Sequence, residues 1–317
     1  MFGNRLRRLT YYPREVSIAI LLVVSLVAVP GFGEANNLKN LLAQASPLLL
    51  LAIGQTFVLL VGGIDLTQGA LVGLASVLLF VLFGVIGPVG SIVATAAGCA
   101  LLSFLLGVLI AKLRIDPLIA TLAGMYVLMG SIMWWTGGTP ITEAPVATAR
   151  MLKWLGTASI GFVPVSFIVA SVLAVAAYGF LRHLMIGLHI YATGSNPRAA
   201  AALGINRTFV FGVAYALCSL FTVAGSLLLT ARIQQGNPHL GEGLLFESIG
   251  SAVLGGVLLS GGTGGVWAVV RGVALLALLQ NSLYLTDLNS YVRDIALGVL
   301  IVTGVLLARM QRSGESK

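Results

Sequence analysis

The sequence predicts an all-α polytopic membrane protein with about ten (eight to ten) transmembrane helices and both termini in the cytoplasm. Three observations carry that reading. First, 58% of the 317 residues are hydrophobic and only 9% are charged, whereas a soluble domain carries about 25% charged residues to solvate its surface. Second, apolar runs of spanning length, about 17–25 residues, recur from near residue 16 to near 310. Third, Lys and Arg sit mainly between those runs, concentrated on every second connection. The mean hydropathy of +1.02 makes lipid the solvent for most of this surface. Helices are indicated over a barrel, because the runs are continuous and not short alternating segments.

The amino-terminal residues 1–15 carry Arg5, Arg7, Arg8 and Arg14 before the first apolar stretch, 16–30. They look like the charged and apolar regions of a signal peptide, but Pro30-Gly31-Phe32-Gly33-Glu34 follows without a small-x-small cleavage site. An uncleaved first helix is expected. The further segments are 42–61, 69–86, 92–111, 117–136, 162–181, 210–231, 245–259, 265–283 and 292–309. With the amino end inside, the internal connections hold Arg5, Arg7, Arg8, Arg14, Lys112, Arg114, Arg182, Arg198, Arg207, Arg309, Arg312 and Lys317. Lys39, Arg150, Lys153, Arg232 and Arg293 fall outside, and Arg271 lies within a span. Positive charge is retained in the cytoplasm, which fixes the orientation. One transmembrane domain, 16–309, thus lies between the basic cytoplasmic terminus 1–15 and a cytoplasmic tail, 310–317.

The longest internal connection, 182–209, has a helix signature of its own. Ser195 or Asn196 can cap it, Pro197 fits its first turn, Arg198 to Leu203 propagate it and Gly204 stops it. It reads either as an ordinary loop held at the headgroups or as a short helix offering an alanine surface to another protein. Asp65 lies in Gly62-Gly63-Ile64-Asp65-Leu66-Thr67, between two apolar runs. A charge at bilayer depth costs about 2.5–3.5 kcal/mol, so it needs a reason. Either Asp65 or Thr67 caps the following helix, or a broken helix lines a permeation path there.

A similar stretch, Gly241-Glu242-Gly243-Leu244-Leu245-Phe246-Glu247-Ser248, falls on the opposite side. That placement is what two inverted halves, 42–136 and 210–309, would give. Arg271 either snorkels to headgroups or turns inward to a carboxylate such as Glu247. Gln55, Gln280 and Asn281 fit interhelical bonding and solute contact equally well.

Other chemistries are poorly served. No basic run has the aromatic interleaving of a nucleic-acid site. Cys99 and Cys218 fall inside apolar runs, and His183, His189 and His239 lack ligand spacing, so neither disulfide nor metal is expected. No Gly-x-x-x-x-Gly-Lys-Ser/Thr loop occurs, so any ATP hydrolysis belongs to another polypeptide.

Together these segments resemble the ribose-type permeases of bacterial ABC importers, the branch that also handles other monosaccharides and autoinducer-2. The resemblance covers about 36–307. It rests on Asn37-Leu38, Ala52-Ile53-Gly54-Gln55-Thr56-Phe57-Val58, Gly62-Gly63-Ile64-Asp65-Leu66-Thr67 and Asp116-Pro117-Leu118-Ile119-Ala120-Thr121. Thr136-Gly137-Gly138-Thr139-Pro140, Tyr191-Ala192-Thr193-Gly194-Ser195-Asn196, Ser260-Gly261-Gly262-Thr263-Gly264 and Asn281-Ser282-Leu283 continue it.

The resemblance implies a permease subunit of the bacterial inner membrane that imports a sugar or similar small polar solute by alternating access. Its implied partners are a cytoplasmic ATP-binding subunit, a periplasmic solute-binding protein and a second permease copy or paralogue. ATP and Mg would belong to the ATPase, with no cofactor in this chain. Tyr191, Gly194, Asn196, Arg198, Ala200 and Gly204 would couple to the ATPase, and Gln55, Asp65, Thr67, Glu247 and Asn281 are candidates for the path. The sequence departs from the family pattern at Gln68, Leu245, Gly265, Ala268, Val269 and Arg271, which leaves the solute open. The competing reading is an ATP-independent secondary transporter or channel, against which no span clusters the acids or histidines of a proton relay. A membrane-embedded enzyme would need a nucleophile–base or metal constellation that the sequence does not offer.

Overall fold

The computed structural model describes residues 13–143 and 146–286, with isolated positions 289, 291–292, 295–296 and 298–299 beyond. Most of the expected segment 292–309, the tail 310–317 and the charges Arg5, Arg7, Arg8, Arg293, Arg309, Arg312 and Lys317 lie outside the described residues. Among the described residues the chain is mostly helical, with one short hairpin and one isolated bridge as its extended pairings. Six helices among the described residues are long and apolar enough to cross a membrane.

Helix α1 (Pro13–Ala28) is followed by α2 (Ala35–Leu60), whose residues from Ser46 to Leu60 are all buried. Helix α3 (Thr67–Leu113) has 47 residues. Straight, it would run about 70 Å at 1.5 Å per residue, over twice the hydrocarbon thickness of about 30 Å. Gly87, at φ 74° and ψ 173°, followed by Pro88, breaks it instead. The left-handed backbone there is open to glycine at little cost, and Pro88 withdraws a donor from the helix ladder. The two arms correspond to the expected segments 69–86 and 92–111.

Asp116 accepts from Leu118 N at 2.8 Å and Pro117 opens α4 (Pro117–Thr136), which ends at left-handed Gly137. The connection that follows α4 has structure of its own. It contains α5 (Val146–Thr157) and the antiparallel pair β1 (Ser159–Ile160) and β2 (Val163–Pro164). Lys39 Nζ donates to Ser159 Oγ at 2.7 Å, fastening the hairpin to α2.

Next come α6 (Val165–His183), α7 (Met185–Ser195), α8 (Pro197–Ala202) and α9 (Arg207–Ile233). The connection 182–209, open to a loop or a short helix on sequence, holds two helices joined at Asn196. Last are α10 (Leu244–Gly255) and α11 (Val266–Tyr284). With 12 residues, α10 is about 18 Å long and too short for a full crossing.

The core lies where α2, the first arm of α3 and α9 pack together, with α6, α10 and α11 around them. The connections sort onto two opposite ends. At one end Gly262 N donates to Leu60 O at 2.9 Å, and Thr121 Oγ1 to Ile64 O at 3.2 Å. At the other, Ile141 bridges Gly236 and His239 Nε2 meets Gly138 O at 3.2 Å. The grouping separates the internal connections of the sequence reading from its external ones.

Candidate functional site

Beyond Leu60 the chain doubles back along α2 instead of leaving the helical layer. Gly63 N donates to Val58 O at 3.0 Å. With its amide nitrogen facing the Asp65 carbonyl, Gln55 donates to Asp65 O at 3.3 Å and accepts from Asp65 N at 3.1 Å. Gln68 Nε2 then donates to Leu51 O at 2.8 Å. Extended backbone in an apolar layer must find its hydrogen bonds in protein, and here side chains provide them. Tyr215 Oη and Thr121 Oγ1 both donate to Ile64 O, each at 3.2 Å. As a result α3 starts level with Leu51, about 14 Å up from the end of α2.

The opposite end does the same in reverse. After Ile233 the chain folds inward until Pro238 O lies against Gly73 and Gly241 against the backbone of Gly69. A Cβ at Gly73 or Gly241 would collide with those carbonyl atoms, so glycine is what admits the approach. Helix α10 starts there, and Gly243 offers its amides no side-chain cap. The two helix starts, entering from opposite ends, meet where Ser248 Oγ donates to Gln68 Oε1 at 2.6 Å.

Gln68 is the hub of this junction. Its Nε2 also reaches Thr222 Oγ1 at 3.2 Å and Cys218 Sγ at 3.6 Å, so one carboxamide ties α2, α3, α9 and α10 together. Gln55, Asp65, Thr67, Gln68, Thr222 and Ser248 are all fully or almost fully buried. Beside them a cavity of about 230 Å³ opens between Gly69, Met125, Met129, Gly241 and Phe246.

Asp65 Oδ1 accepts from Thr67 N at 2.9 Å and from Thr67 Oγ1, so Asp65, one residue before the N-cap Leu66, answers the first amide of α3. Its Oδ2 is buried with no hydrogen-bond partner among the described residues. Leaving such an atom unanswered costs about 1–3 kcal/mol, which a cap alone does not require. Glu247 is half-buried beside Ser248 in the first turn of α10. Asn281 stands apart from the junction. It exchanges two amide bonds with Asn37, at 2.8 and 2.9 Å, clamping α11 to α2.

The second part of the site is α7 with α8. Gly194 packs onto the Leu60 carbonyl, where a Cβ would penetrate the oxygen and lie 2.7 Å from Gly262 N. Ser195 Oγ donates to Gly262 O at 3.3 Å, and Tyr191 Oη to Gly264 O at 3.0 Å. One helix thereby touches both the segment leading into α3 and the segment leaving α10. Asn196 Oδ1 caps α8 through Arg198 N at 3.1 Å and Ala199 N at 3.0 Å, and Gly204 has a φ of +77°. Ala200 is buried, whereas Arg198, Ala199, Ala201 and Ala202 are exposed.

Sequence reasoning grouped Tyr191, Gly194, Asn196, Arg198, Ala200 and Gly204 as one contact surface. The structure divides them into an inward side, Tyr191, Gly194 and Ala200, and an outward side led by Arg198. It also adds Leu203, which is 78% exposed at the end of α8. Sequence reasoning noted Gln68 only as a departure from pattern and missed Ser248, Thr222 and Tyr215. Polar side chains at helical spacing in α9 (Ser219, Thr222, Ser226, Thr230) were the available signal. Arg271 does not turn to Glu247 but pairs with Glu15 of α1.

Comparison with known proteins decides the family. Residues 37–306 match the family described as branched-chain amino acid transport system / permease component. The chain belongs to that permease family. It is 34% identical over 295 residues to the ribose import permease protein RbsC of Escherichia coli, covering 92% of this chain and 91% of the relative. The RbsC of Bacillus subtilis is also 34% identical, over 296 residues, covering 93% and 91%. The autoinducer 2 import system permease protein LsrC of Salmonella choleraesuis is 30% identical over 309 residues, covering 93% and 87%. No solved structure matches.

Proposed function

We propose that this permease is the membrane-spanning subunit of an ATP-driven importer, moving a sugar or similar small polar solute into a bacterial cell by alternating access. The observation that carries the mechanism is the meeting of two interrupted helices at Gln68 and Ser248. Interrupted helices put backbone amides and helix dipoles inside the membrane, where a polar solute can exchange its water for protein. The import of ribose and of autoinducer 2 named for the relatives supports a sugar-like solute.

In this reading the membrane is crossed ten times: the two arms of α3 count separately, α10 crosses together with the inward-folded segment 234–243 before it, and the segment 292–309 completes the set. Both termini are cytoplasmic, and the chain sits in the inner membrane with the Leu60, Gly194 and Gly262 end inward. The partners are a cytoplasmic ATPase holding ATP and Mg, a periplasmic solute-binding protein and a second permease copy or paralogue.

The ATPase seats on the exposed face of α8, at Arg198, Ala201, Ala202 and Leu203. Its movement reaches Gly194, and Gly194 passes it by backbone contact to Leu60 and Gly262. Those residues lead to the starts of α3 and away from the end of α10, so one displacement acts on both interrupted helices. Hydrogen bonds at Gln68 separate or re-form as the path opens to one side or the other, while Asp65 holds the start of α3.

Reconstitution tests this. Vesicles holding the permease with its ATPase and binding protein should accumulate solute only with ATP. Accumulation by the permease alone, or without nucleotide, would favour a secondary transporter or channel.

A further inference from the structure

Away from the junction, a cavity of about 520 Å³ opens between α6, α7 and the first turns of α11. Two guanidiniums line it. Arg182, in the last turn of α6, bonds Tyr178 Oη and lies with its Cζ 5.7 Å from the centre of the Tyr178 ring. Tyr178 in turn meets Trp267 edge-on, with ring centres 6.1 Å apart. Arg271, from the second turn of α11, pairs with Glu15 through Nη1, while its Nε is buried with no hydrogen-bond partner among the described residues. The first turn of α11 forms another wall, and its N-cap, Gly265, has no side chain to answer the amides there. First-turn amides lack helical partners and carry the positive end of the dipole.

The rest of the wall is apolar. Leu188 lines the cavity and is 54% exposed, and Trp267 at the mouth is 61% exposed. The cavity is thus positive at one side and greasy at the other. Glu15 offsets one of the two guanidiniums, and the other keeps its charge. We propose that this cavity binds the phosphate headgroup of an anionic membrane lipid, with Arg182 and Arg271 on the phosphate and the acyl chains lying along Leu188 and Trp267.

Charge complementarity selects an anion, and the apolar wall selects one that carries hydrocarbon. Free phosphate would leave Leu188 and Trp267 against water, whereas a lipid covers them. Aromatic residues beside basic ones at a helix end are also where headgroups lie. Assignment to the cytoplasmic leaflet rests on the orientation proposed above; the headgroup chemistry does not.

The test uses the full chain in mild detergent, offered phosphatidylglycerol or phosphatidylcholine, with retained lipid read by native mass spectrometry. The wild type should retain phosphatidylglycerol in preference to phosphatidylcholine. A guanidinium near a headgroup is worth about fivefold in affinity, so R182Q and R271Q should each lose about that factor. The double variant should lose about 30-fold in phosphatidylglycerol retention, and with it the preference over phosphatidylcholine. Equal retention of the two lipids by the wild type, or full phosphatidylglycerol retention by the double variant, would overturn the proposal.

Displacement of the lipid by millimolar inorganic phosphate would also overturn it, in favour of a soluble anion. Loss of ATPase co-purification by the double variant, with lipid retention intact, would make the cavity a protein-docking surface instead. Where R271Q fails to fold, R182Q and W267L carry the test, because neither touches the Glu15 pair. Lipid retention needs no transport, so a failed uptake assay leaves this result standing.

Discussion

The junction at Gln68 and the joint at Gly194 both hold α3 and α10 in relation to their neighbours, by opposite means. At Gln68 the contact is made by side chains: one carboxamide is bonded to Leu51 O, Thr222, Cys218 and Ser248. At Gly194 side chains are absent and backbone lies on backbone, against Leu60 and Gly262. Side-chain hydrogen bonds can break and re-form one at a time as helices separate. Backbone contact through glycine has no slack, because close-packed atoms transmit displacement directly. In the proposed mechanism the pair is a yielding contact driven by a stiff one.

The largest effect should come from stiffening the wrong way. Gly194→Val places a branched side chain inside the Leu60 carbonyl, and overpacking against backbone should cost at least about 3 kcal/mol. Thermal unfolding in detergent measures it; wild-type melting would show that the joint is loose.

Next, Gln68→Met keeps the volume and removes the hub. Interhelical bonds in membranes average about 0.6 kcal/mol each, so about 2 kcal/mol should be lost in all. Uptake should fall with it while ATPase co-purification persists. If association with the ATPase fell instead, the division of labour between junction and joint would be wrong.

Leu203→Glu acts on the outward face of the same segment. It should leave melting within about 0.5 kcal/mol, yet weaken ATPase co-purification about tenfold, as loss of an apolar anchor does. Unchanged association would move the docking surface elsewhere.

Smaller again is Asp65→Asn. The amide oxygen still caps Thr67, so stability should change by less than about 1 kcal/mol and most uptake should remain. Collapse of uptake at normal membrane levels would place the Asp65 charge in the solute path.

The smallest effect is a pH dependence at the far end. Glu242, hydrogen-bonded to His239 Nδ1 at 2.6 Å, raises the His239 pKa above its usual 6.5. A raised folded-state value means the pair's stabilisation is complete below the unfolded pKa and disappears as pH rises through the folded one. With both side chains about half exposed the change is slight. His239→Gln should flatten it; an unaltered pH profile of melting would remove the pair from the account.

Much of this was legible in the chain. Apolar runs located the helices, and Gly62-Gly63 with Gly241 and Gly243 marked the two interruptions, since glycine admits the close approach at Gly241 and the left-handed backbone at Gly62 and Gly243. Asn196 and Pro197 announced α8 through capping chemistry. Depth was not legible. That residues 61–66 run back along α2 depends on Gln55, Thr121 and Tyr215 converging from three helices, which no local pattern records. Arg271 shows the same limit. Its partner, Glu15, is 256 positions away on another helix, and only packing brings them together. Segment 245–259 had the composition of a span, but its true length followed from where Gly243 and Gly256 turn the backbone.

The most direct test joins the two interrupted helices. With Cys99 and Cys218 replaced by alanine, Gln68→Cys and Ser248→Cys together should form a disulfide in the reconstituted importer. ATP should change its yield, and the oxidised protein should not transport until reduced. A crosslinked permease that imports solute at the full rate would contradict the account.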